Sequence, residues 1–242
     1  MEVWRRITTY GAPPEFNMGL DEALLESKEA PPTLRFYTWN PATLSLGYFQ
    51  RWNEVAETER ASSVVRRITG GGAIHHRNEL TFSIATSLDH PLYHGTIQES
   101  YERVHAAIAD ALKSFGIEAE SRGDRSLESD DASTGMCFHK STAVDLVWNE
   151  RKGVGSAQRR TRGRILHHGS IKLDTTPLEG DIATIASAGS KAAPGDVANA
   201  LSASLTKLCG LEFETSVPDP RERERARELG ARYVSREFLE RR

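Results

Sequence analysis

Several clusters of residue types in this 242-residue chain have the makings of chemistry. Cys137 stands in Gly135-Met136-Cys137-Phe138, between a polar, acidic stretch and a predicted strand. A lone cysteine ordinarily packs as a small hydrophobe. Beside a cation, the same thiol becomes a nucleophile that can take up an acyl group. Lys152 lies among small residues in Lys152-Gly153-Val154-Gly155-Ser156-Ala157-Gln158. An ammonium flanked by glycines can approach a carbonyl or phosphate oxygen and stabilise developing negative charge. The third cluster is Arg66-Arg67-Ile68-Thr69-Gly70-Gly71-Gly72-Ala73-Ile74-His75-His76. Its glycines admit positive φ and close backbone approach to a ligand, and their N–H groups can form an anion nest. The arginines could pair with phosphate or carboxylate. Strand alternation sends Arg66 and Arg67 to opposite faces, so only one enters a site directly. The loop matches neither GxxxxGK[ST] nor GxGxxG, and its plain alternative is a glycine-rich hairpin.

Other residues invite chemistry with less force. His75-His76 and His167-His168 suggest a metal, but neighbours on a strand face opposite ways, so each pair offers one ligand at most. One histidine from each pair with Cys137 would make a zinc set; the expectation is no metal. Residues 151 to 172 carry seven basic groups, Arg151, Lys152, Arg159, Arg160, Arg162, Arg164 and Lys172, and no acid. They form either a charged surface strip or a site for an anionic ligand or acidic partner.

The elements that must position these residues follow from periodicity and punctuation. A helix is predicted over 17–27, capped by Asn17. Strands are predicted at 34–37 and 44–48, around a turn at Asn40-Pro41. A strand over 64–68 stops at Gly70, and 80–85 looks like its partner. Residues 101–115 form the clearest helix, with Gly116 as its stop. The polar stretch 121–135 reads as a mobile surface loop or as a lid over a site. Strands at 143–148 and 165–173 flank a glycine-bearing turn at Gly153 and Gly155. A helix over 194–209 is closed by Gly210. The alternating charges of 221–225 read as a solvated helix face. This order lacks the βαβ alternation of a doubly wound sheet, so the expected class is α+β, with a mixed, largely antiparallel sheet and packed helices.

Composition narrows the function classes. With 31 Lys+Arg against 34 Asp+Glu, the net charge is −3, which argues against a generally basic nucleic-acid binder. Cys137 and Cys209 are too far apart in sequence for a disulfide framework or a CxxC metal site; Cys209 reads as packing on a helix. The first residues do not read as a secretory signal, and no apolar run approaches the roughly 20 residues that span a bilayer. The expectation is one soluble, cytoplasmic domain over 1–242.

Together these segments resemble the lipoate/octanoate branch of the biotin/lipoate protein ligase superfamily. Its arginine-arginine-x-Thr/Ser-Gly-Gly-x-Ala-x-x-His pattern is similar to 66–76, with His76 in the histidine's place. Its Lys-x-x-Gly-Ser/Asn-Ala and His-Gly-Ser/Thr elements are similar to 152–157 and 168–170. Asn17 to Ala23 and Pro41 to Gln50 also look like this family. The resemblance covers about residues 4 to 210, leaving 211–242 as a charged, helical C-terminal tail. Cys137-Phe138, with the cysteine fifteen residues before Lys152, resembles the cysteine-dependent octanoyltransferases. A chain ending soon after the catalytic domain, without room for an accessory domain, points the same way.

The resemblance implies a class II biotin/lipoate ligase catalytic-domain fold. It implies an octanoyl-[acyl carrier protein]:protein octanoyltransferase with Cys137 as nucleophile and Lys152 as oxyanion stabiliser. Arg67, Gly70, Gly71, Gly72, His76, Gly155, Ser156, Ala157, His168 and Gly169 would bind substrate, and His76 or a neighbour would assist proton transfer. Octanoyl acyl carrier protein would be the donor. Lipoyl domains of 2-oxoacid dehydrogenase subunits, or the glycine cleavage H protein, would be the acceptors. No cofactor, nucleic acid or membrane is implied. The alternatives are an ATP-dependent lipoate–protein ligase, a lipoyl amidotransferase, and a non-catalytic module binding acyl groups or lipoyl domains.

Overall fold

The computed structural model describes residues 2–161 and 163–242. Its centre is an eight-stranded sheet built from β1 (Glu2–Ala12), β2 (Thr33–Trp39), β6 (Glu79–Ser87), β7 (Glu120–Ser121), β8 (Leu146–Trp148), β9 (Arg151–Thr161), β10 (Arg164–Lys172) and β11 (Leu211–Ser216). The strand order is β11-β1-β2-β6-β10-β9-β8-β7. β1 runs parallel to both β11 and β2, and the remaining pairs are antiparallel. A separate three-stranded sheet, β4-β3-β5, comprises β3 (Thr43–Leu46), β4 (Val64–Arg66) and β5 (Ile74–His76). The expected α+β class with a mixed sheet is what the chain forms.

Helices cover both faces of the large sheet at its centre, so β2, β6 and β10 are buried on both sides. α2 (Ile97–Leu112) and α3 (Pro194–Cys209) pack on one face over Leu34, Phe36, Phe82, Ile84 and Ile165. α1 (Pro14–Glu26) and α4 (Pro220–Tyr233) lie over the other, with Met18, Leu20, Tyr37, Ala85 and Leu166. The two-residue period sorts neighbours to opposite sides, Phe36 from Tyr37 and Ile165 from Leu166. α3 ends at Gly210, whose φ of 69° satisfies a left-handed C-cap.

Several local expectations fail, each for a physical reason. α1 begins a turn before Asn17, because Pro13-Pro14 fixes the backbone at the helix start. Asn17 is instead buried inside the helix and donates to the carbonyls of Ala12 and Thr38. The 44–46 and 64–66 strands pair with each other in the small sheet, while 79–87 pairs with β2 and β10. Gly153 and Gly155 form no turn. They lie inside β9, and the β8–β9 turn is made by Asn149 and Glu150, both at positive φ. The C-terminal segment is helical over 220–233, with 221–225 mostly exposed as expected, but it begins with edge strand β11, and α4 buries Ala226, Leu229 and Tyr233 against the body.

The α1–α4 contact is close enough to be tested. A Cβ built on Gly19 would stand 2.0 Å from the Ala226 carbonyl oxygen. Gly19→Ala should therefore cost about 1–3 kcal/mol through overpacking. Calorimetry should register a Tm drop of roughly 2–4 °C per kcal/mol; an unchanged Tm would mean that α4 does not dock on α1.

Candidate active site

The glycine loop serves backbone contact. Ala73 N–H donates to the Gly135 carbonyl at 2.9 Å, and Cys137 N–H donates to the Ala73 carbonyl at 2.7 Å. The loop and the Cys137 segment are thereby stapled side by side. A Cβ on Gly72 would come within 2.7 Å of the Cys137 nitrogen, and one on Gly47 within 1.9 Å of the Gly71 oxygen. Only residues without side chains permit that spacing.

The arginines are not the anion ligands that the sequence suggested. Arg67 donates to the carbonyls of Ser45, Gly70 and Gly72 at 2.7–2.9 Å, which turns those loop carbonyls toward it. Arg66, on the opposite face as alternation requires, donates to the carbonyls of Gly47, Gln50, Phe238 and Leu239. Both guanidiniums act as clamps on backbone.

Lys152, buried on β9, meets Cys137 at the start of a single helical turn. Its Nζ lies 2.8 Å from Asp145 Oδ2, donates to the Cys137 carbonyl at 3.0 Å, and stands 3.5 Å from Cys137 Sγ. Burial pulls the ammonium's pKa down, but the facing Cys137 and Asp145 outweigh it and hold the value above that of an ordinary lysine. Asp145 is itself fixed by the Thr142 backbone N–H at 2.6 Å and by the Thr142 hydroxyl. Asp145 is the residue that sequence reasoning missed; a lone aspartate ahead of a short strand carries no spacing signal. Gly155 leaves the room these groups occupy, since a Cβ there would lie 2.8 Å from Lys152 Cε and 3.5 Å from Cys137 Sγ.

Beneath them, the Phe138 ring lies between two ammoniums, Lys152 Nζ at 5.6 Å and Lys172 Nζ at 4.8 Å. Lys172 pairs with Glu79 at 3.0 Å and Glu179 at 2.7 Å, all three buried.

Both candidate histidines have two occupied ring nitrogens. His76 bonds Glu79 at 2.6 Å and Ser45 at 2.7 Å, and it stacks on Trp39 with ring centres 4.1 Å apart. Burial drives the His76 pKa down against the pull of Glu79. His168 bonds Thr69 at 2.6 Å and Asp21 at 3.1 Å. Asp21 also holds Arg35, Tyr37 and Ser83. With every nitrogen engaged, these rings are held in fixed orientation in the cavity wall.

Two cavities meet at Cys137. The inner one is narrow, is walled by Met18, Tyr37, Trp39 and Ile74, and is bordered also by Arg67, Gly70, Gly71, His76, Gly155, Ser156, Ala157, His168 and Gly169. The outer one is wider and open to solvent, and is lined by Phe49, Gln50, Gly72, Lys140, Asp145 and Lys152 among others. Gly71, Cys137 and Ser156 border both. Every site residue named from the sequence therefore lies on one cavity or the other. Met18, Tyr37, Trp39 and Ile74 are additions, because an apolar wall residue looks like any core residue in sequence.

The basic strip disperses. Arg164 and Lys172 are buried, Arg151 pairs with Glu128 and Asp181, and Arg160 turns to Ser100 and Gln158. Arg159 lies against Tyr48, and Arg162 lies outside the described residues. The 121–135 stretch is anchored by buried Leu127 and by Ser129, whose hydroxyl accepts from the Lys152 N–H. Its end contributes Ala132, Ser133 and Gly135 to the outer cavity. Among the described residues no group of three or more His, Cys, Asp or Glu is placed to hold a metal, and no helix is long and apolar enough to cross a membrane.

Comparison with known proteins places this geometry in context. A family model described as the lipoyl protein ligase A/B catalytic domain matches residues 13–215. Octanoyltransferase LipM of Moorella thermoacetica is 35% identical, with 100% of this chain and 99% of that protein aligned. The LipM of Bacillus subtilis is 41% identical over 72% of this chain and 66% of its own length. In fold, the chain resembles a Thermoplasma acidophilum protein solved with bound lipoic acid, with a TM-score of 0.81 at 23% identity and 100% coverage of both chains. It also resembles a lipoate-protein ligase A bound with ATP, with a TM-score of 0.78 at 23% identity and 99% coverage of each chain.

Two measurements probe this geometry. Gly155→Ala displaces the Lys152–Cys137 contact, so kcat should fall about 100-fold, the scale of an ångström's misplacement, with Tm nearly unchanged. The second concerns pH. Burial lowers the pKa of His76, His105 and His167, and it takes His75 to about 4. The unfolded chain binds protons near pH 6.5 that the folded chain refuses, so the stability present above roughly that pH is lost as pH falls. Asp21 and Glu79, held below the usual carboxylate range, extend the loss to lower pH, whereas Glu179, pushed up by burial, works in the opposite direction. Tm should be level from about pH 8 to 7 and fall by several degrees from about pH 6.5 downward; a rise on acidification would contradict the assigned neutral histidines.

Proposed function

The chain belongs to the lipoyl protein ligase A/B catalytic-domain family and is an acyltransferase, and on that premise we propose that Cys137 carries an octanoyl group from acyl carrier protein to lipoyl-domain lysines. The observation that carries this reading is the placement of Cys137 Sγ, 3.5 Å from the Lys152 ammonium at the meeting point of the two cavities. The inner cavity's apolar wall suits an alkyl chain, and the open outer cavity suits the arrival of a carrier or an acceptor side chain.

In the first step the sulfur of Cys137 attacks the thioester carbonyl of the donor. The carrier sulfur leaves with the proton that Cys137 gives up, and an octanoyl-Cys137 thioester remains. In the second step the neutral amine of the acceptor lysine attacks that thioester. An amide forms, and the amine's proton restores the Cys137 thiol. The Lys152 ammonium stands where negative charge builds on sulfur and on the carbonyl oxygen in both steps. The acyl group is already a thioester, so the reaction needs no ATP and no metal.

Intact-protein mass spectrometry after mixing with octanoyl acyl carrier protein, without ATP, tests this directly. The expected product is an octanoyl adduct that hydroxylamine removes and that Cys137→Ser does not form. Lys152→Ala should slow adduct formation about 100-fold or more, the usual cost of losing a group that stabilises transition-state charge. Lipoylation that requires ATP and survives Cys137→Ser would replace this reading with a ligase.

A further inference from the structure

Four arginines that the acyl-transfer chemistry does not use gather around the Tyr48-Phe49 segment, whose Phe49 lines the outer cavity. Arg241 Cζ lies 4.2 Å from the centre of the Tyr48 ring, and Arg159 Cζ lies 5.5 Å from the same centre. Arg242 Cζ stands 5.2 Å from the Phe49 ring. Below them is the Arg66 guanidinium, whose donors all go to backbone carbonyls. The nearby ion pairs, Arg51–Glu54 and Arg236–Glu240, use other arginines. Among the described residues, none of these four guanidiniums has a carboxylate partner.

This is an unusual concentration in a chain of net charge −3. Like charges brought together repel, and aromatic faces offset only part of that repulsion. Arg66 registers the local field: burial lowers its pKa, and Arg241 and Arg242 lower it further. Among the described residues, no Asp or Glu side chain therefore neutralises the cluster. Its place is informative too. The loop that presents Tyr48 continues through Phe49, 62% exposed, and Gln50, and both line the outer cavity. A positive patch with an exposed aromatic ring borders the opening that leads to Cys137.

We propose that Arg159, Arg241 and Arg242, held around Tyr48 and Phe49, form the docking surface for the acidic face of the acyl-bearing carrier protein. This rests on the donor reading above and adds to it where the donor binds. Charges at the rim of an interface act mainly on encounter and orientation, so the surface serves delivery of the thioester and leaves the chemistry at Cys137 untouched.

The test compares two donors on one enzyme: octanoyl acyl carrier protein, and octanoyl-pantetheine, which presents the same thioester without a protein. In the double variant Arg159→Glu/Arg241→Glu, KM for the protein donor should rise about tenfold at low salt while kcat stays within about twofold. Kinetics with octanoyl-pantetheine should not change. Added salt should raise the wild-type KM for the protein donor and have little effect on the variant's. Arg159→Lys/Arg241→Lys, which keeps the charge, should behave like the wild type. Equal loss with both donors, no loss with either, or a loss confined to KM for the lipoyl-domain acceptor would each overturn the assignment. A wild-type enzyme that octanoyl-pantetheine acylates and the carrier protein does not would refute the donor reading itself, before any variant is made.

Discussion

The Lys152 ammonium, buried between the Asp145 carboxylate, the Cys137 carbonyl and the Cys137 sulfur, constrains the residues around it. A charge withdrawn from water needs both an opposite charge and hydrogen-bond acceptors to remain charged. Asp145 supplies the first, and the carbonyls of Cys137 and Lys140 supply the second. The remaining direction is toward sulfur. The same contacts that keep the lysine protonated also fix where Cys137 sits. Electrostatic help of this kind is in place before substrate arrives, so little reorganisation accompanies reaction.

That arrangement fits only because backbones come unusually close. Gly155 clears the space for the lysine stem, Gly72 lets the Cys137 segment lie against the loop, and Gly47 admits the Gly71 carbonyl. Arg67 then holds the loop by its carbonyls, and Arg66 ties the small sheet to the segment around Leu239. The wall of the inner cavity is held in similar fashion. Asp21 joins His168, Arg35, Tyr37 and Ser83, and Glu79 joins His76, Thr81, Ser170 and Lys172. Polar groups at this depth are costly unless each is satisfied, and once satisfied they leave the cavity a fixed shape.

The sequence named the residues that gather at the two cavities more fully than the architecture that gathers them. Cys137, Lys152 and the glycines are legible through the ordered motifs that resemble the lipoate/octanoate branch; taken alone, a single cysteine reads as packing. Asp145 and Trp39 are not, because nothing in residue type separates a carboxylate that holds Lys152 from any other. The helix expected over 101–115 from its apolar periodicity forms over 97–112 with a last turn to Phe115, and the helix over 194–209 ends at its glycine as expected. Strand pairing was not legible. Residues 44–46 and 64–66 form their own sheet through contacts that local pattern does not encode, and glycines inside β9 imitate a turn. The charged segment 220–233 forms a helix with a solvated face at 221–225, as its alternating charges suggest; its buried face, resting on Ala226, Leu229, Gly230 and Tyr233 against α1, is too narrow to stand out in the sequence.

The covalent route makes one demand: the octanoyl-enzyme must be kinetically competent. The most direct measurement is single-turnover transfer from isolated, isotopically labelled octanoyl-enzyme to a lipoyl domain, with donor and ATP absent. If Cys137 is the acyl carrier of the reaction, label moves to the acceptor lysine at least as fast as steady-state turnover. Label that stays on the enzyme, or moves more slowly than turnover, would contradict that role for Cys137.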